Sequence, residues 1–233
     1  RFRNVTGVQT CALPILQGMA AFFALGGLAL SYLLGRKIRY GGWVLRLVLA
    51  GIAVSALFSA GLGVLKYIAD PLRQLQEITF WLLGGLSSIT WKQLISILPA
   101  TLLGLLVVYL LRWRLNLLAL SEETAFSMGA APKRERILLL TAAVLPTAAV
   151  ISVAGMVGWI GLIMPHIARR LFGSDTRNTL PASMLLGGIF AILCDDLSRT
   201  LLPGEIPLGI LTSLLGALVF VFLMISHGVK VEK

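Results

Sequence analysis

Residues 47–65 have the sequence LVLAGIAVSALFSAGLGVL, which contains no aspartate, glutamate, lysine or arginine. Three further uncharged runs of 19 or 20 residues occupy 16–35, 93–111 and 137–156. A helix of about 20 apolar residues crosses a bilayer core about 30 Å thick. Lipid offers the backbone no hydrogen-bond partner, so a crossing segment must be a helix or part of a closed barrel. The sequence therefore predicts an all-α protein, a polytopic bundle of transmembrane helices.

The basic residues are concentrated on one side of this bundle. When the loops are assigned alternately to the two sides, 14 lysines and arginines fall on one side and 4 on the other. The smaller group is Lys66, Arg73, Lys92 and Arg199. Cytoplasmic loops carry the basic excess, so the side with 14 is the cytoplasmic one.

Composition supports the same class. Charged residues make up 13% of the chain, against about 25% in soluble domains. The formal net charge of +10 therefore reflects membrane topology, and we expect membrane lipid and no nucleic acid as a partner. The predicted location is the inner membrane, which the chain crosses several times.

Three more segments complete the expected bundle. Residues 179–199 and 208–226 are further spans, and 158–168 is an apolar piece of 11 residues. As a helix that piece covers only about 16 Å, half of a bilayer core. It must pack against protein, since lipid does not tolerate exposed irregular backbone. We expect seven helices, one of them short, with an interfacial helix within 70–83.

Small residues recur at every fourth position of the 47–65 span, at Gly51, Ser55, Ser59 and Gly63. Such a stripe allows close approach of two helix backbones. It also suits the wall of a translocation pathway. The sequence leaves both interpretations open.

The first fifteen residues differ in character from the rest. The string VTGVQTCALPI at 5–15 has neither the order of a signal peptide nor the composition of a membrane span. It matches the translation, in one frame, of a common sequencing adapter. We therefore expect residues 1–15 to be an artefact and residues 16–233 to be a protein domain truncated on its N-terminal side.

Motifs for catalysis and metal binding are missing from the sequence. It contains no GxxxxGK[ST] loop, no HExxH and only two histidines, His166 and His227. Its two cysteines indicate neither a disulfide framework nor a zinc site. We expect no enzyme activity, no cofactor and no metal site.

The cytoplasmic loop 115–136, LNLLALSEETAFSMGAAPKRER, has a short helix-turn-helix pattern. Ser121 can cap a helix that opens with Glu122 and Glu123, and Gly129 can end it. An ordered and partly apolar loop on the cytoplasmic side indicates a protein partner that covers it. The alternative is a solvated loop that lies on the membrane.

At this point the chain resembles the FecCD-type permeases of ATP-binding-cassette importers for iron-siderophores, haem and vitamin B12. The resembling strings, in order, are FWLLGGLSSITW, LNLLALSEETAFSMGA, AGMVGWIGLIMPHIARRLFGSDTR, LPASMLLGGIFAILCDDLSR and GEIPLGILTSLLGALVF. Members of that family are ten-helix proteins that pair as homodimers. The resemblance implies that this chain holds the last seven helices of ten.

The resemblance also assigns roles to particular residues. It implies that 117–131 docks on a cytosolic ATPase, with Leu120, Glu122, Glu123, Ala125 and Gly129 as the coupling residues. Thr124 stands where the coupling loop of other importers has alanine. The resemblance places Arg199 where the permease contacts a glutamate of its solute-binding protein, and Arg199 could instead pair with Asp195 or Asp196 on its own helix.

Together these features predict the membrane-spanning permease subunit of an importer. It would move a metal chelate, first of all an iron-siderophore, from a periplasmic binding protein to the cytoplasm, with ATP hydrolysis on a separate subunit. The alternative is an ion-coupled secondary transporter, which usually places ionisable residues at midplane. A third possibility is a structural assembly factor of the membrane.

Overall fold

The structure, a computed structural model, describes residues 5–38, 40–87, 89–201 and 206–227. These ranges contain ten helices and no strand. The helices are α1 (Val5–Lys37), α2 (Trp43–Ile68), α3 (Gln74–Leu83), α4 (Trp91–Leu110), α5 (Arg114–Leu118), α6 (Glu122–Ser127), α7 (Pro132–Ala154), α8 (Ile160–Phe172), α9 (Thr176–Thr200) and α10 (Leu208–His227). The predicted all-α class is confirmed.

Six of the described helices, α1, α2, α4, α7, α9 and α10, are long and apolar enough to cross a membrane. With the shorter α8, of 13 residues, they account for the seven helices that the sequence predicts. Only 6% to 33% of each membrane-length stretch is buried inside the chain. The remaining apolar surface requires lipid or further protein to cover it.

Most of the described helices begin or end a few residues away from the predicted bounds, as α2 does at Trp43 and Ile68, and two of these differences affect the region of the candidate site. Helix α7 begins at Pro132, so residues 132–136 belong to it and the connecting loop is shorter than 115–136. Proline suits a first helical position, because its missing N–H would have no partner there. Helix α8 extends to Phe172, past the predicted end at 168, so that Arg169 and Arg170 lie in its last turn. The expectation that residues 1–15 are foreign stays a prediction.

The chain divides into two compact units. Unit 1 comprises residues 1–79, 90–108 and 133–153. Within it α1 and α2 pack along one another, with Phe23 edge-on to Phe58 at 6.4 Å between ring centroids. Helices α4 and α7 approach closely at Gly104, where an added Cβ would lie 2.6 Å from the carbonyl oxygen of Ala142.

Unit 2 comprises residues 80–89, 109–132 and 154–233. Its core is centred on Ile163, Met164 and Leu223, with side chains of α8, α9 and α10 packed around them. Trp159, with φ of +67°, precedes α8 and packs edge-on to Phe220. Helix α8 is therefore a half-helix packed against protein, as the sequence predicts.

Three glycines of unit 2 form what we call the outer junction: Gly84, Gly155 and Gly209. The backbone N–H of Leu208 donates to the carbonyl of Gly84 at 3.0 Å, and the N–H of Gly85 donates to the carbonyl of Ala154 at 2.9 Å. A Cβ at any of the three would overlap a backbone carbonyl oxygen. The junction therefore joins the α3–α4 and α7–α8 connections to the start of α10, and it does so only because these positions lack side chains.

Candidate functional site

Helices α5 and α6 and the turns around them, residues 114–130, form a structure that we call the knob. Its local geometry follows the sequence. The Ser121 hydroxyl accepts a hydrogen bond from the backbone N–H of Thr124, and Glu122 and Glu123 occupy the first turn, where the helix dipole favours negative charge.

The knob ends in a Schellman motif. The N–H of Gly129 donates to the carbonyl of Phe126 and that of Ala130 to the carbonyl of Ala125. Gly129 has φ of +81°, a left-handed conformation that glycine adopts without strain. The predicted cap and the predicted helix end are both confirmed.

The knob has a buried and an exposed side. Ala125 and Ala130 are 1% and 4% exposed, whereas Leu120, Phe126 and Met128 are 43%, 74% and 60% exposed. Glu122, Glu123 and Gly129 are also exposed. The knob therefore exposes large apolar side chains together with two acidic residues. Ala125 lies beneath this surface, so its contribution is to the packing of the knob.

Exposure also adds two residues to the candidate site. Phe126 and Met128 are the most exposed large apolar side chains of the knob, and the site residues chosen from the sequence do not include them. The sequence contains a feature that could have identified them: both are large apolar residues inside a loop that also has capping and turn residues.

A second feature of unit 2 attaches the knob to the first turn of α9. Asn116, on α5, donates from Nδ2 to Oδ1 of Asp175 at 2.7 Å. Its Oδ1 accepts from the backbone N–H of Thr176 at 3.0 Å and from the Thr176 hydroxyl at 2.7 Å. The same hydroxyl lies 2.7 Å from the carbonyl oxygen of Arg112. We call these contacts the Asn116 clamp.

Electrostatics favour the clamp at neutral pH. The N–H of Arg177, and then the Asn116 amide, hold the pKa of the Asp175 carboxyl below its ordinary value. A carboxyl with a lowered pKa stabilises the fold while it is ionised, and that stabilisation is lost as the pH falls through the lowered pKa. The clamp should thus stay intact until the pH is below about 4, where ordinary aspartates protonate. The sequence analysis did not find the clamp, since 59 residues separate Asn116 from Asp175.

We predict that Asn116→Leu loosens the first turn of α9. The substitution keeps the size of the side chain but removes a donor to Asp175 and an acceptor for Thr176, at about 1 kcal/mol for each hydrogen bond. Amide hydrogen exchange should become at least several-fold faster at Thr176 and stay unchanged at Ser198, near the other end of α9. Unchanged exchange at Thr176 in Asn116→Leu would show that the clamp does not hold the helix.

The opposite end of α9 carries Arg199. Its Nε and Nη2 donate to Oδ2 and Oδ1 of Asp195 at 2.9 and 3.3 Å, so the pairing left open by the sequence is made with Asp195, one helical turn before. The Arg199 side chain is still 44% exposed. A helix of 25 residues is about 37 Å long, which separates Arg199 from the clamp by about the thickness of a membrane.

The stripe of small residues on α2 is not covered by described residues. Ser55, Ser59 and Gly63 are exposed and Gly51 is half-buried. A Cβ added at Gly51 or Gly63 would meet no described atom within 4 Å. The residues of α2 that are buried are Ala50 and Val54. Packing within the described chain therefore does not account for the stripe.

In the part of the chain that the structure describes, no three histidines, cysteines or acidic residues lie close enough together to hold a metal ion. The candidate site consists instead of an exposed apolar and acidic surface on the knob, which is attached to one end of α9, and an exposed arginine at the other end.

Comparison with known proteins gives one consistent result. The family model of the FecCD transport family matches residues 5–226. The iron chelatin transport system permease protein of Helicobacter pylori is 38% identical over 215 residues, which are 91% of this chain and 66% of that protein. The molybdate import system permease protein MolB of Haemophilus influenzae is 38% identical over 200 residues, 85% of this chain and 58% of that protein.

A solved structure gives the same picture. It is described as an inward-facing conformation of a metal-chelate type ABC transporter and matches with a TM-score of 0.84 and 35% sequence identity, over 93% of this chain and 71% of that one. The chain spans less than two thirds of the length of the two curated relatives.

Proposed function

This chain belongs to the FecCD transport family, and from that premise we propose that it is the membrane-spanning permease subunit of an ATP-binding-cassette importer. The observation that carries the proposal is the knob, an ordered cytoplasmic structure whose apolar and acidic surface is open to a partner. That partner is a cytosolic ATPase, and ATP hydrolysis takes place there. The permease itself performs no chemistry.

The mechanism follows from what the knob is attached to. The Asn116 clamp holds α5 to the first turn of α9, so a displacement of the knob by the ATPase would move α9 as a rigid element. Rigid-body rotation of helices around a site is a common way to alternate access between two sides of a membrane. The proposed coupling residues are Leu120, Glu122, Glu123 and Gly129, with Phe126 and Met128 added and Ala125 as their support.

A second permease subunit, identical to this one or a paired homologue, would complete the pathway. Only 6% to 33% of each membrane-length stretch is buried within the chain, and Ser55, Ser59 and Gly63 of the stripe on α2 are exposed. A Cβ added at Gly51 or Gly63 would meet no described atom within 4 Å. Small side chains on an uncovered helix face suit either the pathway wall or contact with the second subunit. We assign the stripe to the pathway between the two copies.

The proposed cargo is a metal chelate, with an iron-siderophore as its first candidate. The named cargo of the Helicobacter pylori relative is an iron chelate and supports this choice. The relative from Haemophilus influenzae is named for molybdate at the same 38% identity. Because both relatives are 38% identical to this chain, sequence identity does not favour one cargo over the other. A solute-binding protein would deliver the chelate to the outer face.

Uptake into proteoliposomes tests the proposal. The full-length gene product, reconstituted with the ATPase and binding protein encoded beside it, should accumulate a radiolabelled iron chelate only when ATP is present. An ion-coupled secondary transporter, the alternative, would accumulate it when a proton or sodium gradient is imposed without ATP. The second result would replace the proposal with the alternative.

We predict that Arg199→Glu weakens docking of the binding protein about tenfold, with the loss concentrated in the association rate and dependent on salt, as for other charges at the rim of an interface. Arg199 is one of four basic residues assigned to the outer side and keeps an exposed surface beside Asp195. A glutamate-to-lysine change on the binding protein should partly restore docking.

The intrahelical pair alone predicts a different pattern. If Arg199 serves only to hold Asp195, Arg199→Glu should reduce the amount of protein in the membrane, while docking per molecule stays normal. Membrane abundance and docking measured on the same preparations separate the two roles. Low abundance with normal docking per molecule would contradict the docking role.

A further inference from the structure

A cavity of about 550 Å³ lies in unit 2 where α4 ends and α9 begins, lined by Tyr109, Leu110, Arg112, Trp113 and Arg177. The excess of basic residues assigns this end of both helices to the cytoplasmic face. The proposed transport mechanism does not use the cavity. Its volume is within the range of about 300–1,000 Å³ that is usual for sites of small ligands.

Two arginines give the cavity its chemistry. The Arg112 guanidinium lies over the Tyr109 ring, 4.0 Å from its centroid, and this stacking holds its plane in place. Arg177 is exposed in the first turn of α9. No described carboxylate forms a salt bridge with either side chain. Planar guanidinium groups bind phosphate oxygens in a bidentate manner.

The acidic group nearest in sequence, Asp175, offsets only one of the two positive charges, and the charge of Arg177 is, after its hydrogen bonds, among the causes that lower the pKa of its carboxyl. Asp175 already accepts hydrogen bonds from the N–H of Arg177 and from Asn116, and its lowered pKa shows that its surroundings favour its ionised form. The cavity region thus has two cationic side chains against one carboxylate that is already engaged. An anion is the ligand that this charge balance selects.

The rest of the lining indicates what carries the anion. Leu110 is 63% exposed, and Tyr109 and Trp113 are 43% and 41% exposed. Aromatic side chains with arginines at the inner end of a span are typical of headgroup depth. The cytoplasmic leaflet is also the one that carries anionic lipids. A soluble anion would contact the arginines but leave the apolar side of the cavity uncovered.

We propose that this cavity binds an anionic phospholipid of the inner leaflet, with its phosphate on Arg112 and Arg177 and its acyl chains along Leu110 and Tyr109. The carbonyl oxygen of Arg112 lies 2.7 Å from the Thr176 hydroxyl of the Asn116 clamp. A bound lipid therefore stabilises the segment that joins the knob to α9.

Lipid binding to the purified full-length protein in neutral detergent tests this inference. Native mass spectrometry should detect dioleoyl-phosphatidylglycerol bound about tenfold or more tightly than dioleoyl-phosphatidylcholine, since each arginine near an anionic lipid contributes about 1 kcal/mol. Arg112→Gln/Arg177→Gln should abolish the preference. The control Lys133→Gln/Arg134→Gln removes the same charge from two exposed residues on the same side of the membrane. This control should keep the preference for phosphatidylglycerol.

Two further arms make the outcome unambiguous. Arg177→Gln alone changes an exposed side chain and should reduce the preference several-fold even if the double variant does not fold. Inorganic phosphate, added in competition, should leave phosphatidylglycerol bound. Three outcomes would each overturn the inference. The first two are that the Lys133/Arg134 control loses the preference for phosphatidylglycerol, and that the Arg112/Arg177 variant keeps it. The third is that inorganic phosphate displaces the lipid.

Discussion

Gly155→Ala should prevent normal accumulation of the protein in the membrane. Gly155 has φ of +70°, and a Cβ there would overlap the carbonyl oxygen of Trp81 and lie 3.0 Å from the Cα of Gly84. All of these neighbours are backbone atoms, which do not rotate aside as a side chain does. The alanine would lower the free energy of unfolding through backbone strain, by about 1–3 kcal/mol, and through overpacking, by about 1–3 kcal/mol more.

The combined cost is a large part of the total stability of a domain, about 5–15 kcal/mol. We therefore expect membrane abundance, measured by quantitative immunoblot, to fall several-fold or more, and the melting temperature of any protein recovered to fall as well. Gly158→Ala is the matched control, because it lies in the same connection, has no positive φ and has no atom within 4 Å of an added Cβ. Equal abundance of the two variants would show that the outer junction is not a folding constraint.

Glu123→Lys and Gly129→Val should each uncouple ATP hydrolysis from uptake while the membrane fold survives. Glu123 is exposed in the first turn of α6, so reversal of its charge changes the surface that we propose the ATPase contacts. The local cost from the helix dipole is only about 0.3–1 kcal/mol. Gly129 has open space around an added Cβ, so valine there acts through the backbone conformation alone and turns the end of α6.

Interface residues that carry much of the binding energy cost about 2 kcal/mol or more when changed. On that basis we expect ATP-driven uptake to fall at least tenfold. The amount of ATPase that stays bound to the purified permease should fall as well. Both quantities should be measured against membrane abundance, which we expect to be close to that of the unchanged protein.

Each substitution has a matched control elsewhere in the chain. Gly173 has φ of +83° and no atom within 4 Å of an added Cβ, as at Gly129, and it follows α8 and not the knob. Glu77 lies in the first turn of α3, as Glu123 does in α6. Gly173→Val and Glu77→Lys should keep ATPase retention. If they lose it to the same extent as the knob variants, the coupling assignment is wrong.

Local features of this protein were predictable because they depend on neighbours in sequence. The Ser121 cap and the left-handed Gly129 are decided within one turn of helix, and both occur where the sequence places them. The membrane spans depend on 20 consecutive side chains and the cost of exposing backbone to lipid, so long uncharged runs identify them. Where predicted bounds were wrong, as at Pro132 and Phe172, charged residues continue a helix beyond the apolar run.

Contacts across long separations were not predictable in this way. Gly84 and Gly155 are two glycines among 24, and nothing in the sequence distinguishes them from Gly158 or Gly188, which have open space around them. Gly209 follows Pro207 before the last span, which indicates a tight turn but not the backbones that meet there. The difference arises from which backbones meet at the outer junction. Likewise, the sequence left Asp195 and Asp196 as equal partners of Arg199, and the side-chain geometry on α9 selects Asp195.

The sequence by itself determined the all-α membrane class and the caps of the knob, because hydrophobic length and capping depend on residues close together in the chain. The orientation of the spans, which rests on loop charge, stays a prediction. The tertiary structure alone decided that Asn116 contacts the start of α9, which knob side chains are exposed and which glycines have no room for a side chain. Those properties depend on the packing of segments far apart in the chain, and a hydrogen bond or a missing Cβ has an effect only where another backbone comes within contact distance.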